Sequence, residues 1–155
     1  MPSSQSRPRE ERTQPARGSC VLFYDGACGL CQRTVLWMMR HDPCGRLLYA
    51  TQQQPLAAEV FARHTLDAQQ TNSVVLVLHF GQPAERVVVR SDAIIGCLSV
   101  FGGRWALLAA VARLIPRALR DGAYNWIARN RHGLLANSTS CTLPTAAERT
   151  RFFDI

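Results

Sequence analysis

The chain has 155 residues, 47% hydrophobic and 19% charged, which suits one ordinary core with an appendage and excludes two full domains or disorder throughout. Its net charge of +7 rests on 18 arginines and no lysine. Compositional bias explains this better than an anionic partner does, and no stacking aromatics interleave the scattered Arg33, Arg40, Arg46, Arg63, Arg86 and Arg90, so nucleic-acid binding is not expected.

Residues 1–17 read as a disordered tail, because Pro2, Pro8 and Pro15 interrupt a polar, arginine-rich stretch. Cys20–Tyr24 is a short run of strand formers ended by Asp25-Gly26. A helix follows from about Gly29 to His41, with Val35, Leu36, Met38 and Met39 on its apolar side, and Asp42-Pro43 ends it. Trp37, Met38 and Met39 read as core. Leu47–Ala50 is a second strand, and Pro55 opens a helix that runs to His64. Ser73–Phe80 is a third strand, Gly81-Gln82-Pro83 a turn, and Arg86–Arg90 its hairpin partner. Ser91-Asp92 then caps a helix through Phe101 that stops at Gly102-Gly103.

This order, β-α-β-α-β-β-α, predicts an α/β fold of the thioredoxin-like kind, with a mixed four-stranded sheet covered on both faces. The continuous apolar runs at Val21–Tyr24 and Val74–Leu78 suit its buried central strands. Beyond it, Trp105, Leu107, Leu108, Val111, Leu114 and Ile115 form an apolar face. Pro116 breaks that helix and Arg117–Arg131 continues, which predicts a C-terminal helical hairpin packed on the core. The expected organisation is a tail at 1–17, a core at 18–102, a helical extension at 103–135 and an irregular tail at 136–155. The longest apolar stretch, Trp105–Ala112, ends at Arg113. A membrane span needs about 20 residues, so none is expected.

Six cysteines are present: Cys20, Cys28, Cys31, Cys44, Cys97 and Cys141. The first 18 residues hold no apolar stretch, so no secretory leader is expected and a cytoplasmic setting is. There a CxxC stands for redox or metal chemistry rather than a structural disulfide. Cys28 and Cys31 lie where the first strand gives way to the first helix. A helix N-terminus presents free N–H groups and a partial positive charge, which favour a thiolate. Cys31, one turn inside on the same face, is placed to close a disulfide. The outer sulfur then attacks, the inner one resolves the mixed disulfide, and Gly29 leaves the approach open. Asp25, three residues before Cys28, reads equally as a proton relay or as a turn residue. A carboxylate so close opposes ionisation of the thiol, so relay makes more sense than electrostatic activation.

Two other readings compete. Cys28, Cys31, His41 and Cys44 have soft-ligand spacing that zinc would accept, but a helix of about three turns separates the pairs by on the order of 15–20 Å. No metal and no cofactor are therefore expected. The basic C-terminal helices, with Arg113, Arg117, Arg120, Arg129 and Arg131, also fit a peripheral membrane or interaction module whose CxxC is structural; membrane contact is admitted but not favoured.

The stretch Tyr24-Asp25-Gly26-Ala27-Cys28-Gly29-Leu30-Cys31 resembles the DCC family of thiol–disulfide oxidoreductases, named for a D-x2-C-x2-C motif matched by Asp25, Cys28 and Cys31. Arg90-Ser91-Asp92-Ala93 is similar to the family's second phrase. Pro116-Arg117, Arg120-Asp121, Tyr124, Asn130-Arg131 and Cys141-Thr142-Leu143-Pro144 are similar to its C-terminal phrases. The resemblance spans Cys20 to Pro144 and implies a thioredoxin-like fold and disulfide exchange. Two departures from thioredoxins stand out: Gly29-Leu30 between the cysteines where those have Gly-Pro, and no proline ahead of Val74, where those place a cis-proline that holds substrate backbone.

The expected partner is a protein or low-molecular-weight thiol or disulfide, with glutathione a candidate. Ser91-Asp92 resembles the helix start with which glutaredoxin-like folds hold the glutathione carboxylate, although a plain N-cap explains it as well. Cys97 and Cys20 read as core thiols, Cys44 as exposed, and Cys141 as a candidate accessory thiol in a polar segment.

Overall fold

Strands β1 (Cys20–Tyr24) and β3 (Val75–Leu78) form the middle of a four-stranded sheet in the computed structural model, which describes Pro15, residues 17–134 and residues 151–152. Strand β2 (Leu47–Thr51) lies on one edge and β4 (Arg86–Val89) on the other, in the order β2-β1-β3-β4. β1 runs parallel to β2 and antiparallel to β3, and β3 pairs antiparallel with β4. The apolar runs are central because only they can be buried on both faces.

Strand alternation divides the core in two. Leu22 and Tyr24 of β1, with Leu76 of β3, face helices α1 (Gly29–His41) and α4 (Arg90–Phe101), meeting Val35, Met38, Ala93 and Cys97. Val21 and Phe23, with Val75 and Val77, face the other way onto Leu56, Ala57 and Val60 of α2 (Pro55–Arg63). The α/β architecture is thus thioredoxin-like, as the element order implies. A short helix α3 (Ala68–Thr71), not foreseen from the sequence, leads into β3. Met38 and Met39 are core as expected, but Trp37 is 40% exposed, its ring stacked on His41.

The hairpin of α5 (Gly103–Arg113) and α6 (Arg117–Leu134) forms where the helical pattern predicts it, but α5 packs by a different face. Ala109 is its buried residue, with Trp105, Ala106 and Ala112 half-buried, so small side chains bring it close to α4. Leu107, Leu108, Val111, Leu114 and Ile115 point to solvent. Residues 1–14, residue 16 and Cys141 lie outside the described residues. Within the segment read as an irregular tail, Phe152 makes a parallel bridge to Tyr49 on the β2 edge. Arg151 donates to the backbone carbonyl of Asp42 at 2.9 Å. No helix among the described residues is long and apolar enough to cross a membrane.

Candidate active site

β1 ends at Tyr24, and the next four residues turn the chain into α1. Asp25 makes that turn: its Oδ1 accepts the Ala27 N–H at 3.0 Å, and its backbone carbonyl accepts the Cys28 N–H at 3.2 Å. Cys28 then takes the N-cap position with extended backbone, φ −94° and ψ 113°, and its carbonyl accepts the first helical N–H, from Gln32, at 3.0 Å. Cys31 is consequently the third residue of the helix. An N-cap side chain and the third helical side chain are the two that reach toward each other in a capping box. Here both are thiols, and Cys28 makes no side-chain cap hydrogen bond.

Cys28 is 6% exposed and Cys31 half-buried. Cys28, expected as the open outer thiol, is thus the more covered of the two; Gly29 after it is exposed, with nothing within 4 Å of where a Cβ would stand. Tyr24 closes the core side. Burial pushes its phenol above the usual range, and the charge of the nearby Cys31 sulfur acts in the same direction. Gly26 is confined by the end of β2: a Cβ there would stand 2.9 Å from Thr51 Cγ2.

Two glutamines lock the turn. Gln53 Nε2 donates to Asp25 Oδ1 at 3.0 Å while Gln53 Oε1 accepts the Gly26 N–H at 3.2 Å. Gln32 Nε2 donates to the Gly26 carbonyl at 2.6 Å. Neither was singled out in the sequence. For Gln53 the available signal was topological: the loops after two adjacent parallel strands emerge side by side, and Gln52-Gln53-Gln54 follows β2.

Ser91 and Asp92 start α4 at the same end of the sheet as this turn, since Val89 pairs with Val75 and Val75 with Phe23. The helix begins at Arg90, so Ser91 is in its first turn rather than capping it. Its hydroxyl donates to the Asp121 carboxylate. Asp92 takes Arg120 at 2.7 Å and Arg117 at 3.1 Å. Both side chains are thus engaged in holding α6 to α4. Tyr124 of α6 reaches further and accepts the Val74 N–H on its hydroxyl at 3.1 Å, one residue beyond the Phe23–Val75 pair and so beside Tyr24.

The other thiols stand elsewhere. Cys97 is fully buried, and desolvation first, then the Cys20 sulfur, pushes its thiol far up; burial also raises Cys20. Cys44 is exposed near the far end of α1 from Cys28, about 20 Å along a helix of this length. His41 is sandwiched by Trp37 and Trp105, with ring centroids at 4.2 and 5.1 Å. No group of three His, Cys, Asp or Glu among the described residues is arranged to hold a metal ion.

Known proteins place this turn in a family. The chain is 28% identical over 132 residues to the uncharacterized protein YuxK of Bacillus subtilis, covering 85% of this chain and 92% of that one. It is 25% identical over 123 residues to a chloroplastic DCC family protein of Arabidopsis thaliana, covering 79% of this chain and 69% of that one. No solved structure matches it significantly. The model of the DCC1-like thiol-disulfide oxidoreductases matches residues 22–136, from β1 through the helical hairpin, and the chain belongs to that family.

Proposed function

We propose that the chain exchanges dithiols and disulfides in the cytoplasm, with Cys28 as nucleophile and Cys31 as resolving thiol. The observation that carries this reading is the placement of two thiols at the N-cap and third positions of one helix. In the reducing direction the Cys28 thiolate attacks a substrate disulfide, forming a mixed disulfide and releasing one substrate thiolate. Cys31, as thiolate, attacks the Cys28 sulfur. The second substrate thiolate leaves, the pair ends as an intramolecular disulfide, and two electrons have passed to the substrate. The oxidising direction is the reverse. The first-turn N–H groups of α1 supply the positive potential for the attacking sulfur. Asp25, fixed by Ala27 and Gln53, acts as the proton relay for the thiols.

The substrate is a protein or a low-molecular-weight thiol or disulfide, glutathione included. For Ser91 and Asp92 the bonds to α6 favour a structural part over carboxylate binding.

Differential alkylation with intact-mass analysis across a series of glutathione ratios tests the reading. Cys28 and Cys31 are expected to become protected together and reversibly. Cys31→Ser should trap a mixed disulfide on Cys28, and Cys28→Ser should abolish exchange. Independent alkylation of the two thiols at every ratio would sink the proposal.

A further inference from the structure

Among the described residues, nine large hydrophobic side chains are exposed, and all but Trp37 lie on the α5–α6 hairpin. Single exposed apolar residues are ordinary, but a contiguous set marks a contact surface. Leu107, Leu108, Val111, Leu114 and Ile115 recur at helical spacing along α5 and its link to α6; Leu107 is 69% and Leu114 82% exposed. Leu119, Trp126 and Ile127 continue the pattern on α6, with Leu119 66% and Trp126 62% exposed. An adjoining side of α6 is the one that grips the core, through Arg120, Asp121 and Tyr124. Among the described residues, the apolar stripes are what the hairpin leaves unpartnered.

Charge decides what fits them. Residues 103–134 carry six arginines and one acidic residue, Asp121, a net +5 of the chain's +7. Asp121 is itself engaged by Ser91 and by Arg117 at 3.5 Å. At the head of the α5 stripe, one turn before Leu107 and Leu108, Arg104 borders a cleft of about 350 Å³. Arg40, His41, Phe101 and Trp105 also line it, and among the described residues no acidic one does. A second copy of the chain would bring the same positive charge against this face, which like-charge repulsion opposes. A nucleic acid would use the arginines and leave the leucines in water. An anionic lipid bilayer satisfies both, because apolar side chains sink below the headgroups while arginines stay among the phosphates.

We propose that the α5–α6 hairpin is a membrane-docking surface that lies flat on anionic lipid, with headgroup phosphate received by the cleft between Arg40 and Arg104. Tyr124 ties α6 to the end of the sheet that leads into Asp25, so docking holds that end of the molecule close to the bilayer.

Co-sedimentation of the full chain with phosphatidylcholine vesicles, with and without phosphatidylglycerol, tests this. Binding is expected only to the anionic vesicles and should weaken as salt is raised. Arg40→Gln with Arg104→Gln should weaken it about 25-fold. Leu107→Gln with Leu114→Gln should weaken it about tenfold. All four residues are exposed, so unchanged melting temperatures are expected to confirm folding. Cys28→Ser should bind as the wild type does, which separates this proposal from the exchange chemistry. No sedimentation with anionic vesicles at low salt would overturn it, as would wild-type binding by the leucine variant. So would a dimer in light scattering that the leucine variant abolishes, since the face would then belong to a second copy.

Discussion

Cys28 and Cys31 were legible in the sequence because a CxxC at a strand-to-helix junction needs only local backbone rules to be placed: the extended N-cap, the helix start and the spacing of one turn. Of the two glutamines that stiffen the junction, Gln53 was not legible, because it arrives from the loop after the next parallel strand. Gln53 bonds both Asp25 Oδ1 and the Gly26 N–H across 28 and 27 positions of sequence. Its side chain is exposed and packs nothing in the core. Gln53→Leu is therefore expected to leave stability within about 0.5 kcal/mol. The same change frees the Asp25 carboxylate and loosens the turn, so disulfide exchange should slow about tenfold, since misplacement of a reacting group by about 1 Å is costly. Stopped-flow exchange rates beside a thermal melt measure both. A wild-type rate in this variant would show that the Asp25 position does not matter to the chemistry.

Among the elements, β1 and α1 lie where their patterns put them, since a buried apolar run and a helix closed by Asp42-Pro43 leave little choice. The orientation of α5 was a different problem. Its leucine stripe and its Trp105, Ala109 and Ala112 side both have helical spacing, and apolar content alone favours the leucines. The structure buries the alanines instead, because a helix lined with small side chains can approach α4 closely. A related close approach sets α4 on the sheet: a Cβ on Gly96 would stand 2.6 Å from Leu76 Cδ2. Leu76 is fully buried and has little room to yield. Gly96→Ala would gain about 0.5–1 kcal/mol of helix propensity and lose about 1–3 kcal/mol to overpacking. A net loss of about 1 kcal/mol in urea denaturation is expected. A variant more stable than the wild type would mean that α4 can shift away from β3.

Across the whole molecule, the motifs singled out as separate phrases prove to be one another's partners. Ser91-Asp92 meets Arg117, Arg120 and Asp121, which ties the helical hairpin to the α/β core. A second tie is made at the β2 edge. Arg151 donates to the carbonyls of Asp42 and Met39 at 2.9 and 3.4 Å, and stands 3.7 Å from the Asp42 carboxylate, which is 1% exposed. Phe152 beside it packs on Tyr49 and Tyr24, with ring centroids at 5.9 and 6.5 Å. Arg151→Ala removes the cation beside a buried carboxylate and one donor from each of two carbonyls, and should cost about 2 kcal/mol with no change in the denaturant m-value. Wild-type stability in that variant would show that the tie contributes nothing. By itself the sequence determined the order of elements apart from the one-turn α3, the central strands and the two-thiol helix start, because each follows from short-range spacing of apolar, turn and cap residues. Only the tertiary structure decided which face of α5 meets the core, what holds Asp25 and where Arg151 docks. Those outcomes depend on contacts between residues far apart in the chain, selected by shape and by the need to pair buried polar groups, and no local pattern encodes them.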